Sequence, residues 1–172
     1  MDDIKRFPSN WIRNGIAYLV IFVLFCFEAA FLPHALSSEV KLSLIPAAIF
    51  YIGLSNPGLL PFLVVFALGL VTDFMSDAPA GLHALYYYLI LLIAHWQRRY
   101  LSGQTFFVSW LAYGFIVLTG QILLWIGYSL YLFTWLRGLF ILENTLYGLF
   151  IFPLVVLLFH MILKYQVEQD SL

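Results

Sequence analysis

From Thr105 to Phe133 the chain runs for nearly thirty residues without one charged side chain. A bilayer hydrocarbon core about 30 Å thick takes about 20 apolar residues per helix, so one span of about twenty to twenty-five residues fits inside this run. The rest of the run trails into an aromatic segment at the interface. Composition extends the constraint to the whole chain, with 63% hydrophobic and only 10% charged residues. A soluble domain carries about 25% charged residues, and a single soluble core could not bury so much apolar surface. A length of 172 residues leaves room for about six spans with short connections, and none for an extramembrane domain. The expected fold is therefore all-α: one polytopic membrane domain over 1–172, a bundle of about six transmembrane helices.

The expected spans cover residues 15–36, 42–54, 58–75, 81–96, 105–128 and 139–163. The second is short by membrane standards and carries Pro46, so it is expected to tilt, thin the bilayer or be partly re-entrant. It stops at Ser55-Asn56-Pro57-Gly58, a strong turn signal. Pro61 lies in the expected first turn of the third span, where a missing N–H costs nothing. The link from Ser76 to Gly81 reads as a tight turn in which Asp77 is a candidate cap for the next helix. Gln97-Arg98-Arg99 closes the fourth span, and the sixth contains Glu143, Pro153 and His160. Nothing repeats at a fixed period.

Orientation follows from the cations. With the N-terminus inside, Lys5, Arg6, Arg13, Arg98, Arg99 and Lys164 are cytoplasmic, and only Lys41 and Arg137 are outside. Both termini are thus expected in the cytoplasm. The five tryptophans fall mostly near span ends, as rings needing one wet edge do, with Trp125 the poorest fit. The apolar run after the basic N-terminus is too long for a signal h-region and lacks a small-residue cleavage site, so the first span is expected to be a retained anchor. A net charge of −1 with scattered cations offers no basic face for nucleic acid. Cys26, the one cysteine, sits in an apolar run and reads as a small hydrophobe.

Three carboxylates, Glu28, Asp73 and Glu143, fall within or at the edge of expected spans, where a charge at mid-helix costs about 2.5 to 3.5 kcal/mol. Glu28 has no cation three or four positions away, so its partner must come from another helix, a neighbouring protein or a bound proton. Asp73 would oppose the macrodipole at a helix C-terminus and needs compensation. Gly69, one turn earlier, permits close approach of another helix, while Pro79-Ala80-Gly81 returns the chain beside it. Asp73 then either ties the third span to the fourth or binds a partner or ligand. Glu143, near the outer end of the sixth span, is expected to be solvated or paired with Arg137.

His34, His83, His95 and His160 show no HxxxH or HExxH pair, and no metal site is expected. His83 lies near Asp73 and Asp77, a grouping that reads first as a polar cap. No Walker-type loop, GxSxG elbow or paired intramembrane aspartate motif occurs, and no catalytic residue or cofactor is expected.

The stretch Phe66 to Leu85 resembles the signature of the rod shape-determining protein MreD family, approximately G-x-x-x-D, a small-residue turn, then G-x-x-A-L. Gly69, Asp73, Pro79, Gly81, Ala84 and Leu85 fill those places. The likeness extends in length, basic N-terminus, the basic link after the fourth span, and Asn144, Gly148 and Pro153 in an Asn-x-x-x-Gly-x-x-x-x-Pro element. The chain departs from the commonest pattern in carrying an acid, Asp77, within the turn. The resemblance implies a non-enzymatic bacterial inner-membrane scaffold of cell-wall elongation. Its implied partners are MreC and, through the complex, MreB, RodA and the elongation-specific penicillin-binding transpeptidase. It also implies an architecture similar to the substrate-binding subunits of energy-coupling-factor transporters.

Two functions are therefore weighed. In the first, a scaffold, helix faces pack on partner helices in lipid, and Asp73 with its turn, Gly69, Pro79, Gly81 and His83, shapes the contact. In the second, a solute-binding subunit of a vitamin-type transporter, Glu28, Asp73 and Glu143 line an internal polar cavity.

Overall fold

The computed structural model describes residues 7–35, 44–56, 58–76, 78–101, 103–134 and 138–169. Six helices follow one another: α1 (Phe7–Ala35), α2 (Leu44–Ser55), α3 (Phe62–Met75), α4 (Leu82–Leu101), α5 (Phe106–Leu132) and α6 (Leu139–Gln169). Among the described residues no strand occurs. Two segments, Phe106–Leu132 and Ile141–Met161, are long and apolar enough to cross a membrane, and three shorter apolar helices cover Ala17–Ala30, Leu44–Ser55 and Phe62–Met75.

The element order follows the hydropathy, but several boundaries differ from it. α1 starts at Phe7, eight residues before the apolar run begins at Gly15. α4 continues through Gln97, Arg98 and Arg99 to Leu101. Charge ends an apolar run without ending a helix, because Gln and Arg are good helix formers and cations suit the negative end of the macrodipole. α3 begins at Phe62, with Pro61 outside it as an extended N-cap residue at φ −60° and ψ 141°. Asp77, Arg137 and Lys41 lie outside the described residues.

α2 sits at the centre of the bundle. At 1.5 Å per residue its 12 residues reach only about 18 Å. Every residue from Leu44 to Phe50 is buried, as are Ile52 and Gly53, because α1, α4 and α6 all pack against it. Its uniformly apolar sequence has no polar face to turn outward, which is the pattern of an enclosed helix. An aromatic stack fixes its far side: Tyr113 of α5 stacks on Phe152 of α6 with centroids 4.4 Å apart, and Phe50 lies 5.5 Å from Tyr113.

α4 is the second hub, packed against α3, α2 and α5. Small residues on its neighbours let it approach. A Cβ on Gly53 of α2 would come within 3.0 Å of Ala94 and Leu91, and one on Gly120 of α5 would enter the Tyr86 ring. The outer surface inverts the soluble pattern. Leu63 is 80% exposed, Phe150 78% and Phe115 73%, on three different helices, and α1 adds Leu19 and Phe22. Large apolar side chains thus face outward on four of the helices.

Candidate functional site

Most of the polar side chains that the fold encloses gather at one end of the bundle. α1 and α3 end there, and α2, α4 and α6 begin there. The buried polar side chains include Glu28, Thr72, Asp73, His83, Asn144 and Thr145.

Asp73 lies in the last turn of α3 and is fully buried. Its Oδ2 accepts from the Gly81 N–H at 2.8 Å and from the Ala84 N–H at 3.4 Å, while its Oδ1 accepts from the His83 N–H at 2.8 Å. These are the opening N–H groups of α4, which have no partner inside their own helix. The carboxylate therefore acts as an N-cap delivered by the preceding helix. The positive end of the α4 macrodipole offsets the negative end of α3, where an acid alone would be disfavoured. The His83 ring completes the arrangement: its Nδ1 lies 2.8 Å from Asp73 Oδ1, and a carboxylate that already accepts three backbone N–H groups receives this one as a donor too. Edge-on contacts with Tyr87 and Tyr128, at centroid distances of 6.3 and 6.1 Å, hold the ring in place.

Two glycines make this geometry attainable. Gly81 adopts φ +101°, a left-handed conformation that side chains resist, and so aims its own N–H at Asp73. A Cβ on Gly69, one turn before the acid, would strike the Ala84 backbone at Cα, come within 2.6 Å of Ala84 N and lie 2.9 Å from His83 C. α3 and α4 thus touch backbone to backbone. Pro79 belongs to the connecting turn, where its carbonyl accepts from Leu82 N–H at 3.2 Å.

Glu28 does the same for another pair of helices. It is 9% exposed, and its Oε2 accepts from the Ile45 N–H at 2.9 Å, one residue into α2. A cross-helix acid thus caps α2 as Asp73 caps α4. A hollow of about 10 Å³ beside it, bounded by Phe25, Glu28, Ala29, Thr72 and Met75, has room for the centre of one water and not for a vitamin-sized solute.

Glu143 does not join these two acids. It is exposed on α6, next to the buried Asn144, and so shares no enclosed cavity with Glu28 and Asp73, as the second of the two functions weighed would require. The helical repeat places adjacent residues about 100° apart, and Asn144 occupies the inward position. The candidate cap at Asp77 falls outside the described residues, and the capping oxygens found at α4 belong to Asp73.

Further residues carry polar structure that the hydropathy pattern does not reveal. Gln121 is buried in mid-helix on α5, and Tyr86, Tyr87 and Tyr113 are enclosed. The run Tyr86-Tyr87-Tyr88, away from both ends of α4, is the signal that marks two of them. Trp110 is the other case: its indole Nε1–H donates to the Leu149 carbonyl at 2.8 Å. Among the described residues no three His, Cys, Asp or Glu side chains gather into a metal-binding set.

With the geometry in view, comparison with known families, characterised proteins and solved structures finds no match to this chain. The enclosed acids bind backbone N–H groups of their own chain, and many of the large apolar side chains face outward.

Proposed function

We propose that this chain is a multi-pass protein of the bacterial inner membrane, with both termini cytoplasmic. In this reading it serves as a non-enzymatic scaffold of the cell-wall elongation complex, contributing to rod shape and to regulation of peptidoglycan synthesis. The observation that carries the reading is the division of labour between inside and outside. Asp73 and Glu28 are consumed in capping α4 and α2, while large apolar side chains such as Leu63, Phe115 and Phe150 face outward on separate helices. Such a surface suits lipid and the helices of other membrane proteins, where small residues and close packing drive association.

The shortness of α2 and α3 fits this placement. Helices of 12 and 14 residues reach about 18 and 21 Å against a hydrocarbon core of about 30 Å. Backbone that fails to span is tolerated where protein encloses it, and α2 is enclosed. MreC is the proposed direct partner, with MreB, RodA and the elongation-specific transpeptidase reached through the complex. The support is the resemblance across Gly69, Asp73, Pro79, Gly81, Ala84 and Leu85, five of which, Gly69 to Ala84, build the α3–α4 junction by contact, hydrogen bond or backbone conformation.

Depletion in a rod-shaped host tests the proposal, together with pull-down of the tagged full chain from detergent-solubilised membranes. Recovery in the membrane fraction, capture of MreC and rounding of the cells are expected. Normal rods after depletion, or a chain soluble without detergent, would discard the reading.

A further inference from the structure

α1 meets the bundle through α2 and α3, and one of its side chains reaches toward both. Glu28, almost fully buried, accepts from the Ile45 N–H of α2 at 2.9 Å. On its α3 side it borders the hollow of about 10 Å³ already described, whose walls are Phe25, Glu28 and Ala29 of α1 and Thr72 and Met75 of α3. Phe25, Ala29 and Met75 bring apolar side chains to these walls. The polar side chains there are Glu28 and Thr72, both buried.

These two groups make the same demand. The Thr72 hydroxyl gives its one hydrogen to the Leu68 carbonyl at 3.0 Å, so toward the hollow it can only accept. An ionised carboxylate also only accepts, and with about four acceptor positions it is not saturated by the Ile45 N–H. Two acceptors on one small space cannot bond to each other. They call for a molecule between them that donates twice.

We infer that the hollow binds one water molecule, which donates one hydrogen to the Glu28 carboxylate and the other to Thr72 Oγ1, and so fastens α1 to α3. Size and partner number both match, since a water needs about 10–15 Å³ and two to four polar partners. A metal cation matches poorly: Ca²⁺ and Mg²⁺ take about six or more oxygen ligands, whereas the walls offer a carboxylate and one hydroxyl. An apolar tip, such as the end of an acyl chain, would supply neither donor. With the water bound, Glu28 holds α2 directly and α3 through one intermediary, so a single acid anchors α1 to both neighbours. The inference stands on this geometry and does not depend on the scaffold reading.

The test is a crystal structure of the full chain at a resolution that shows ordered waters, with Thr72→Ser and Thr72→Val beside the wild type. A single peak within about 2.5–3.2 Å of both the Glu28 carboxylate and Thr72 Oγ1 is expected in the wild type. Thr72→Ser keeps the peak, and Thr72→Val, which has the same shape and no hydroxyl, loses it. Melting temperatures give a second reading. Thr72→Val should lower the melting temperature by about 1 °C or more less in a Glu28→Ala background than in the wild type, because the bridge has already lost one end. If Thr72→Val does not fold, the wild-type and Thr72→Ser maps decide. No peak in the wild type, a direct Glu28–Thr72 hydrogen bond, hydrocarbon density in the hollow, a peak that survives in Thr72→Val, or equal melting losses in both backgrounds overturns the inference.

Discussion

The Trp110 indole and the Leu149 carbonyl, 39 residues apart, are joined by a hydrogen bond of 2.8 Å that closes a gap in α6. The carbonyl of residue 149 would ordinarily accept from the N–H of residue 153. That residue is Pro153, which has none. Trp110 therefore supplies from α5 the donor that α6 lacks, and Gly114, one turn along α5, leaves space for the Leu149 side chain.

Trp110→Phe keeps an aromatic ring and deletes the donor, so it should destabilise the fold by about 1–3 kcal/mol, the cost of a buried acceptor left unpaired. Pro153→Ala restores an N–H to the Leu149 carbonyl. In that background Trp110→Phe should cost clearly less, and the cycle should give a coupling of at least about 0.5 kcal/mol. Thermal or denaturant unfolding in detergent measures all four proteins; equal costs in both backgrounds would show that the bond does not serve this purpose.

Asp73 is predicted to act on stability before any partner is involved. Asp73→Ala leaves the Gly81, His83 and Ala84 N–H groups facing a buried void, at an expected cost of about 3 kcal/mol or more, since bonds to charged groups contribute about 1.5–3 kcal/mol each. Asp73→Asn retains one acceptor oxygen and turns an NH2 toward other donors, so it should fall between Ala and wild type. Partner capture should decline in proportion to folded protein in membranes. Loss of capture at unchanged abundance and melting temperature would mean that the carboxylate has a direct role at the interface.

Gly69→Ala should be among the most damaging single-methyl changes in the chain. The added Cβ meets the backbone of Ala84, which no rotamer change can move, so α3 and α4 must separate. Overpacking costs about 1–3 kcal/mol and here should reach the upper end. Ala84→Gly should fail to rescue it, because the clash is with Ala84 Cα and N and not with its methyl. Gly127→Ala, whose Cβ meets only the flexible Leu82 side chain at 3.0 Å, is the mild comparison. Relative melting temperatures order the three.

Much of this junction is legible from residue order alone. Gly69 and Asp73 stand one turn apart, and a turn ending in glycine follows, so an acid at a helix end must find its compensation in the next helix. What residue order leaves open is how Asp73 is compensated: it offers Asp77 as a candidate cap for α4, and only the folded turn brings the Gly81, His83 and Ala84 N–H groups onto the Asp73 carboxylate. The Trp110 bond is less legible still: Pro153 announces an orphan carbonyl, yet any of five tryptophans could answer it until α5 and α6 are docked. Burial separates Asn144 from Glu143 for a similar reason, since adjacent residues on a helix face different ways and hydropathy does not say which faces inward.

Glu28 offers the final test, because it accepts from a backbone N–H at the start of another helix. Pro46 follows Ile45 and carries no N–H, so the Ile45 N–H is the donor that the α1 carboxylate secures at the start of α2. Glu28→Ala should leave that donor buried and unpaired, costing about 1–3 kcal/mol. Glu28→Gln keeps an oxygen at the same reach, so it should recover most of the loss if accepting this hydrogen bond is the residue's task. Hydrogen exchange at the Ile45 amide reads the effect directly: faster in Glu28→Ala and near wild type in Glu28→Gln. Equally fast exchange in both variants would instead assign the task to the negative charge, acting on the positive end of the α2 macrodipole.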